Sequence, residues 1–278
     1  DSLFSQPVFD FPKPVALISE LLEQGMSDTD LVLDFFAGSG STGHAIMGWN
    51  AVDGGKRRYI LVQLPEPLKS VDKDQKTAAD FCDKLGKPRT IAELTKERLR
   101  RAGSKIREEL EAKWAKESAE AIKKSAKPGL FETDVDEDNL SQRSMPDLGF
   151  RVFKLDTSNI RVWNPEAANL KSVLLDNTEH ILPDRSNTDV LYEMLLKLGL
   201  DLVAPISERT IAGKKVVSIG SGSLMACLEK DIETGIVEEL AKGIAAWHAE
   251  LAPAGETTVF FRDKIGRASC RERVYHPV

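Results

Sequence analysis

Three glycines, at positions 38, 40 and 43, punctuate the stretch DFFAGSGSTGHA, which passes from an apolar run into a helix-like one. Their spacing is G-x-G-x-x-G. At a strand-to-helix turn such glycines let the backbone take φ > 0 and approach a ligand closely. The helix that follows offers free N–H groups and partial positive charge to an anionic group. This chemistry serves nicotinamide dinucleotides and S-adenosylmethionine alike, so the glycines alone do not choose between them. Their neighbours do. Asp34 stands just before the turn, where a carboxylate meets a cationic amine. Phe36 offers an apolar wall, and Lys13, in FDFPKP upstream, suits a carboxylate. A ligand carrying both an amine and a carboxylate is an amino acid, and methionine is one end of S-adenosylmethionine.

The elements that must position these residues follow from periodicity. Val15, Leu17, Ile18, Leu21 and Leu22 recur at helical spacing, with Gly25 as a stop. DLVLDFF, residues 30–36, is a continuous apolar run of strand length, as expected of a parallel strand buried on both faces. A helix is expected from about Ser41 to Trp49, and RRYILVQL, residues 57–64, reads as a second buried strand. Strand, glycine turn, helix and strand make half of a doubly wound α/β sheet. Residues 90–127 read as a long charged helix or helix pair. Between Lys87 and Lys127 it carries 13 Lys or Arg against 7 Asp or Glu. Either a DNA-facing surface or a solvated face laced with ion pairs fits that balance.

Residues 132–147 are acidic and polar, an exposed loop or linker. Beyond them GFRVFKLD reads as a strand, while NLKSVLLDNTEHIL and NTDVLYEMLLKLGLD read as helices, the second stopping near Gly199. TIAGKKVVSIGSGSLMACLE reads as a hairpin with turn signals at Ala212-Gly213 and Gly220 to Gly222. A helix in ETGIVEELAKGIAAWHAEL and a core strand in TTVFFRD complete the pattern. The fold class expected is α/β, a partial doubly wound Rossmann-like sheet, followed by an α+β carboxyl-terminal region. The domains expected are 1–127, a linker 128–148, a region 149–263, and a tail 264–278. The tail begins in IGRASCRERV, which resembles the conceptual translation of a sequencing adapter, and is expected to be non-native. The opening DSLFSQPVFDF has neither Met nor a signal-peptide pattern and reads as a chain entered in mid-domain.

The 278 residues are 41% hydrophobic and 29% charged, with a formal net charge of -6, so the chain as a whole is no basic nucleic-acid binder. Cys82, Cys227 and Cys270 lie far apart without a Cys-x-x-Cys, which argues against a disulfide framework or a metal cluster and fits a reducing cytoplasm. Cys82 and Cys227 suit small core or surface positions, and His180 and His248 suit the surface. Trp114, Trp163 and Trp247 fit core packing better than interface anchoring. His44 suits a packing or polar contact better than a general base, since a sulfonium leaves as a neutral thioether.

FDFPKP, LDFFAGSGSTGHA and RRYILVQLPEP, in this order and spacing, resemble motifs X, I and II of β-class adenine-specific DNA methyltransferases. More narrowly they resemble the modification subunit of type III restriction-modification systems. GFRVFKLDTSNIRVW, PDRSNTDVLYEMLLKLGLDL and IAGKKVVSIG resemble the carboxyl-terminal part of the same subunits, so the likeness extends over most of residues 1–263. It implies S-adenosylmethionine as cofactor, with Phe11, Pro12 and Lys13 closing over its methionine moiety. Asp34, Phe36, Gly38, Ser39 and Gly40 would form its bed, with Thr42 at the helix start. The family's ribose-binding acid has no counterpart at the end of the second strand. Gln63 stands there, and Glu66 follows three residues later, so both are candidates. The likeness also implies DNA and a restriction subunit as partners, a homodimer of modification subunits, and no membrane.

Such enzymes hold a flipped adenine with an Asp-Pro-Pro-Tyr-type tetrapeptide. Neither that tetrapeptide nor an Asn or Ser variant occurs in the sequence, so no catalytic residue is assigned. In the β-class order it and the target-recognition region precede motif X. The expectation is a parent enzyme that methylates adenine and a chain that does not do so alone. Two alternatives stay open. A nicotinamide-dependent Rossmann oxidoreductase needs an acid at the end of the second strand, and Gln63 counts against it. A non-catalytic split subunit would act as an assembly module.

Overall fold

The computed structural model describes residues 3–125, 144–161 and 181–262, which fall into two compact units divided between Phe150 and Arg151. The first unit runs α1 (Val15–Glu23), β1 (Leu31–Asp34), α2 (Ser41–Asp53), β2 (Arg58–Leu61), α3 (Lys73–Lys84) and α4 (Ile91–Ser125). β1 and β2 pair in parallel, Leu31 opposite Arg58 and Asp34 opposite Leu61, with α2 as the crossover. The expected strand–turn–helix–strand order is therefore present.

One feature of these strands departs from the expectation of burial on both faces. Tyr59 and Leu61 pack towards α2 and α4, in a core with Met47, Leu99 and Ile106. Leu31, Leu33 and Ile60, on the other face, are about half exposed, as are Val62 and Leu64 beyond them. With two strands and helices against one side only, the apolar run has nothing on its second face among the described residues. Helix α1 departs in the same way. None of its residues is buried, because its apolar stripe lines an open cleft instead of a core.

The junction of α2 and β2 is fixed by a polar knot. The buried Arg57 makes a two-pronged pair with Asp53, at 3.0 and 2.8 Å, and its guanidinium lies 3.7 Å from the Trp49 ring centroid. Asn50 donates to Arg57 O at 2.9 Å and accepts from Arg57 N at 3.2 Å. On the other side of the unit, Leu3, Phe4 and Val8 form a core with α3 and α4, and Arg101 lies over the Phe4 and Phe81 rings. Helix α3 has no antecedent in the periodicity reading, since its short apolar set, Ala78, Ala79, Phe81 and Cys82, is buried at the centre of a charged stretch.

Residues 90–127 were open to one helix or two, and Ile91–Ser125 is one. Part of its charge is paired along the helix. Lys96 pairs with Glu93, Arg100 and Arg101 with Glu97, and Lys105 with Glu109. These are the i,i+3 and i,i+4 pairs of a helix surface. Most of the expected linker lies outside the described residues.

The second unit runs α5 (Asn187–Lys197), β3 (Ile206–Ile211), β4 (Lys214–Ile219), β5 (Leu224–Cys227), α6 (Val237–Leu251) and β6 (Thr258–Phe261). The sheet order is β3-β4-β5-β6, antiparallel except that β6 runs parallel to β5. The two turn signals close two successive hairpins rather than one. Strand alternation splits the core. Val217, Ile219, Leu224 and Ala226 face α5, while Val216, Met225 and Cys227 face α6. Trp247 and both Cys82 and Cys227 are core residues.

GFRVFKLD forms no strand. Arg151 donates to Leu202 O and Ala204 O, and Phe153 packs edge-on against Tyr192, 5.0 Å between centroids. The segment is held by side chains and has no ladder partner among the described residues. Beyond it, Asn159 and Ser158 are bound by Glu193 of α5. Burial works against that carboxylate, but donors from Lys197, Ser158 and Asn159 outweigh it and hold it at about 2. His248 is not simply a surface residue, since its Nε2 lies 2.8 Å from Thr257 Oγ1. Thr257 donates to Gly222 O, so the imidazole is the donor to Thr257. The first of the two expected helices, Trp163, His180, Cys270 and the 264–278 tail lie outside the described residues. Among the described residues no helix is long and apolar enough to cross a membrane.

Candidate cofactor-binding site

The site is built where β1 ends. Gly38 and Gly40 take φ of +50° and +78°, a region that disfavours any side chain. These left-handed residues turn the chain from β1 into α2, with Gly40 as the residue before the first helical turn. Gly43 serves a different need. A Cβ there would lie 2.8 Å from Leu99 and 3.2 Å from both Leu61 and Tyr59, so its absence lets α2 settle on β2 and α4. All three glycines of the spacing are thus required by backbone geometry or by packing.

The turn is pinned by side chains from three elements. Gly38 N donates to Gln63 Oε1 at 2.7 Å. Thr95 of α4 places its hydroxyl 2.5 Å from Gly38 O and 2.9 Å from Ile91 O, one proton shared between two carbonyls. The Gly38 residue is therefore held at both its N–H and its C=O. Asp34 accepts from Phe36 N at 3.1 Å and from the Thr42 hydroxyl at 2.7 Å. Each carboxylate oxygen has one such partner and keeps acceptor capacity for a further donor.

Ser41, at the start of α2, donates to Lys13 O at 2.8 Å. Its single proton being used there, Ser39 is the donor across the 3.0 Å contact between the two hydroxyls. The glycine turn and the FPKP segment, distant in sequence, are joined by this relay. Lys13 keeps its ammonium exposed, Pro12 is half-buried, and Phe11 and Phe36 are 94% and 88% exposed.

Beside the turn lies an open cleft of about 380 Å³. Ile18, Leu21 and Leu22 of α1 and Val32, Leu33, Phe35 and Phe36 form its apolar walls, with Asp34 and Thr42 as its polar end. Mostly apolar lining with a few converging polar groups is the usual make-up of a small-molecule site.

The structure thus brings Asp34, Phe36 and Thr42 together on the cleft. It brings Gly38, Ser39, Gly40, Gln63 and Lys13 into one hydrogen-bonded frame. Glu66 is apart from this frame. It is exposed, and its main chain is used by Leu64 and Ile91. Ser41 and Thr95 were not singled out from sequence. Ser41 sits inside the glycine pattern as an ordinary x position. Thr95 has no local signal beyond being a β-branched residue four before Leu99 in a charged helix. His44, one residue past Gly43, is lowered to about 4 by burial, with the charges of Arg98 and Lys105 adding to it. It is a neutral imidazole at neutral pH.

Residues 4–54, which contain the FPKP segment, β1 and the glycine turn, match the model of a DNA methylase family. The chain is 40% identical over 105 residues to the Mod subunit of the type III restriction-modification enzyme StyLTI of Salmonella typhimurium. That stretch is 38% of this chain and 15% of the relative. The EcoPI Mod subunit of Escherichia phage P1 is 40% identical over 98 residues, 35% of this chain and 14% of the relative. The type II methyltransferase M.KpnI of Klebsiella pneumoniae is 41% identical over 66 residues, 24% of this chain and 16% of the relative. The chain is thus similar, over part of its length, to a DNA methylase family and to type III Mod subunits. It spans about 15% of the length of the type III Mod relatives it matches.

Proposed function

We propose that the chain is the cofactor-binding and carboxyl-terminal portion of an S-adenosylmethionine-dependent adenine DNA methyltransferase of a type III restriction-modification system. The observation that carries this reading is the pairing of Asp34 with Thr42 at the polar end of an apolar cleft, in a segment matched to DNA methylases. A carboxylate with acceptor capacity suits an α-amino group, and the apolar walls suit the remainder of an adenosyl ligand. Lys13, exposed on the segment tied to the turn, supplies a cation for the ligand's carboxylate. The Asp34 carboxylate beside the turn favours an amine-bearing ligand over a pyrophosphate, whose negative charge it would repel.

When bound, S-adenosylmethionine supplies a methyl group on a sulfonium, which leaves as a neutral thioether. The chain's own residues then have a positioning task. Gln63 and Thr95 fix Gly38 in its left-handed turn before the ligand arrives, so little ordering is left for binding. Asp34 orients the amine, and Phe35 and Phe36 exclude water from one side. Beyond its bonds to Gly38 N and Leu64 O, Gln63 keeps a second lone pair and a second amide proton, so Gln63 and Glu66 both stand as candidates for the ribose hydroxyls.

The bare face of β1 and β2 supports the view that this pair belongs to a larger doubly wound sheet, because parallel sheets are covered on both sides. On this reading residues 1–127 are the cofactor part, 128–148 the linker and 149–263 an α+β region that contacts a second modification subunit or the restriction subunit. The tail from residue 264 is not native protein. DNA is the substrate of the parent enzyme, whose setting is the bacterial cytoplasm. Because no Asp-Pro-Pro-Tyr-type sequence is present in these residues, the chain alone is inactive. With tritiated S-adenosylmethionine and DNA, the isolated chain is expected to transfer no label. Sequence-specific transfer by this chain alone would refute the assignment.

A further inference from the structure

Resting on the cofactor reading above, we infer that Ser41 is the positioning residue that ties Lys13 to the glycine turn and so governs recognition of the amino-acid end of the ligand. The FPKP segment has few ways to hold its place. Pro12 and Pro14 lack N–H groups, and Lys13 sits between them. A hydrogen bond from Ser41 Oγ to Lys13 O, 2.8 Å long, joins the segment to the turn. Ser41 is itself buried, and its oxygen accepts from Ser39, so its proton is directed at Lys13 O rather than free to rotate.

The geometry divides the site into two parts. Asp34 and Thr42 are fixed to β1 and α2 and do not depend on Ser41. Lys13 belongs to a different segment, which leads into α1 packed against α2, and that hydroxyl is its hydrogen-bonded link to the turn. Ser41 touches no ligand group in this scheme. It acts by setting the distance between a cation on one segment and a carboxylate on another, the two groups that an amino acid needs.

The test is equilibrium binding of the full chain to S-adenosylmethionine, S-adenosylhomocysteine and 5′-deoxy-5′-methylthioadenosine, the last of which lacks the amino-acid end. Ser41→Ala is expected to weaken the first two about five- to tenfold, the size carried by one hydrogen bond, and to leave the third unchanged. Ser41→Cys, close in size with a poor donor, is expected to do the same should the alanine variant fold badly. Lys13→Ala removes the ammonium but keeps the carbonyl. In that background Ser41→Ala should have little further effect, because the two act as a unit. Equal weakening of all three ligands, or none, would overturn the inference. If the native chain bound none of them, the cofactor reading would fall by itself. The tie would then be read directly by ¹⁵N relaxation. The Phe11 and Lys13 amides are expected to be rigid in the native chain and mobile in Ser41→Ala, and unchanged mobility would overturn the inference.

Discussion

Replacing Gly40 by alanine should destabilise the amino-terminal unit by two separable effects. The first is conformational. At φ +78° an L-residue costs about 1–2 kcal/mol. No gain in helix propensity offsets this, because Gly40 precedes the first helical residue. The second is steric. The new Cβ would lie 3.0 Å from Thr95 Cγ2, so Thr95 must shift by a few tenths of an ångström. That shift strains the hydroxyl that holds Gly38 O at 2.5 Å. Mild overpacking of this kind costs about 1 kcal/mol, for a total of about 2–3 kcal/mol. Thr95→Ser removes the obstructing methyl and keeps the hydroxyl. In that background Gly40→Ala should cost only the conformational part, about 1–2 kcal/mol. Urea unfolding followed by far-UV circular dichroism measures all four members of the cycle. The reasoning is refuted if Gly40→Ala is as stable as the native chain, or if its cost is the same with and without the Thr95 methyl.

Three further outcomes are expected. Thr95→Val keeps the shape and loses the hydroxyl, leaving Gly38 O without its partner, and should cost about 1–3 kcal/mol in urea unfolding where Thr95→Ser is nearly neutral. Arg57→Ala leaves Asp53 without its guanidinium partner and uncovers Trp49, while Asn50 keeps its bonds to the main chain of residue 57. It should cost about 1–2 kcal/mol, read as a lowered thermal midpoint of the amino-terminal unit, because Asp53 is left to solvent and the loss is chiefly the packing and cation–π contact with Trp49. His44, near 6.5 in the unfolded chain and about 4 in the folded one, binds a proton more readily when unfolded. Its contribution is therefore complete above pH 6.5 and lost as pH falls from there towards 4, the sign expected when the unfolded state takes up more protons. His44→Gln should flatten the pH dependence of the urea midpoint over that window. The tightly bonded Asp156 and Glu193, both about 2, lose their contribution only at lower pH.

The glycine turn was legible because each of its requirements is local. A positive φ, a strand end and a helix start all fall within the same dozen residues, and residue type records them directly. The two faces of β1 and β2 were not legible. An apolar run states that a strand can be buried on both sides, not that anything lies there, and Leu31, Leu33 and Ile60 remain half exposed. Thr95 was hidden for a related reason. Its contact with Gly38 spans 57 positions, and a hydroxyl in a charged helix carries no periodic signal. In GFRVFKLD the apolar alternation was real, but the segment is held by its own Arg151 guanidinium donating to Leu202 O and Ala204 O and by the Phe153 ring against Tyr192 instead of by a neighbouring strand. Gln63 was legible as a departure from an acid, while its bond to Gly38 N needed coordinates.

The central claim is that this glycine turn, with Asp34 beside it, serves S-adenosylmethionine rather than a nicotinamide dinucleotide. Isothermal titration of the chain with S-adenosylmethionine and with NAD, each also against Asp34→Ala, tests it most directly. The account predicts saturable one-to-one binding of S-adenosylmethionine that Asp34→Ala weakens at least tenfold, and no binding of NAD. Saturable binding of NAD with no heat from S-adenosylmethionine, or S-adenosylmethionine binding indifferent to Asp34, would contradict it.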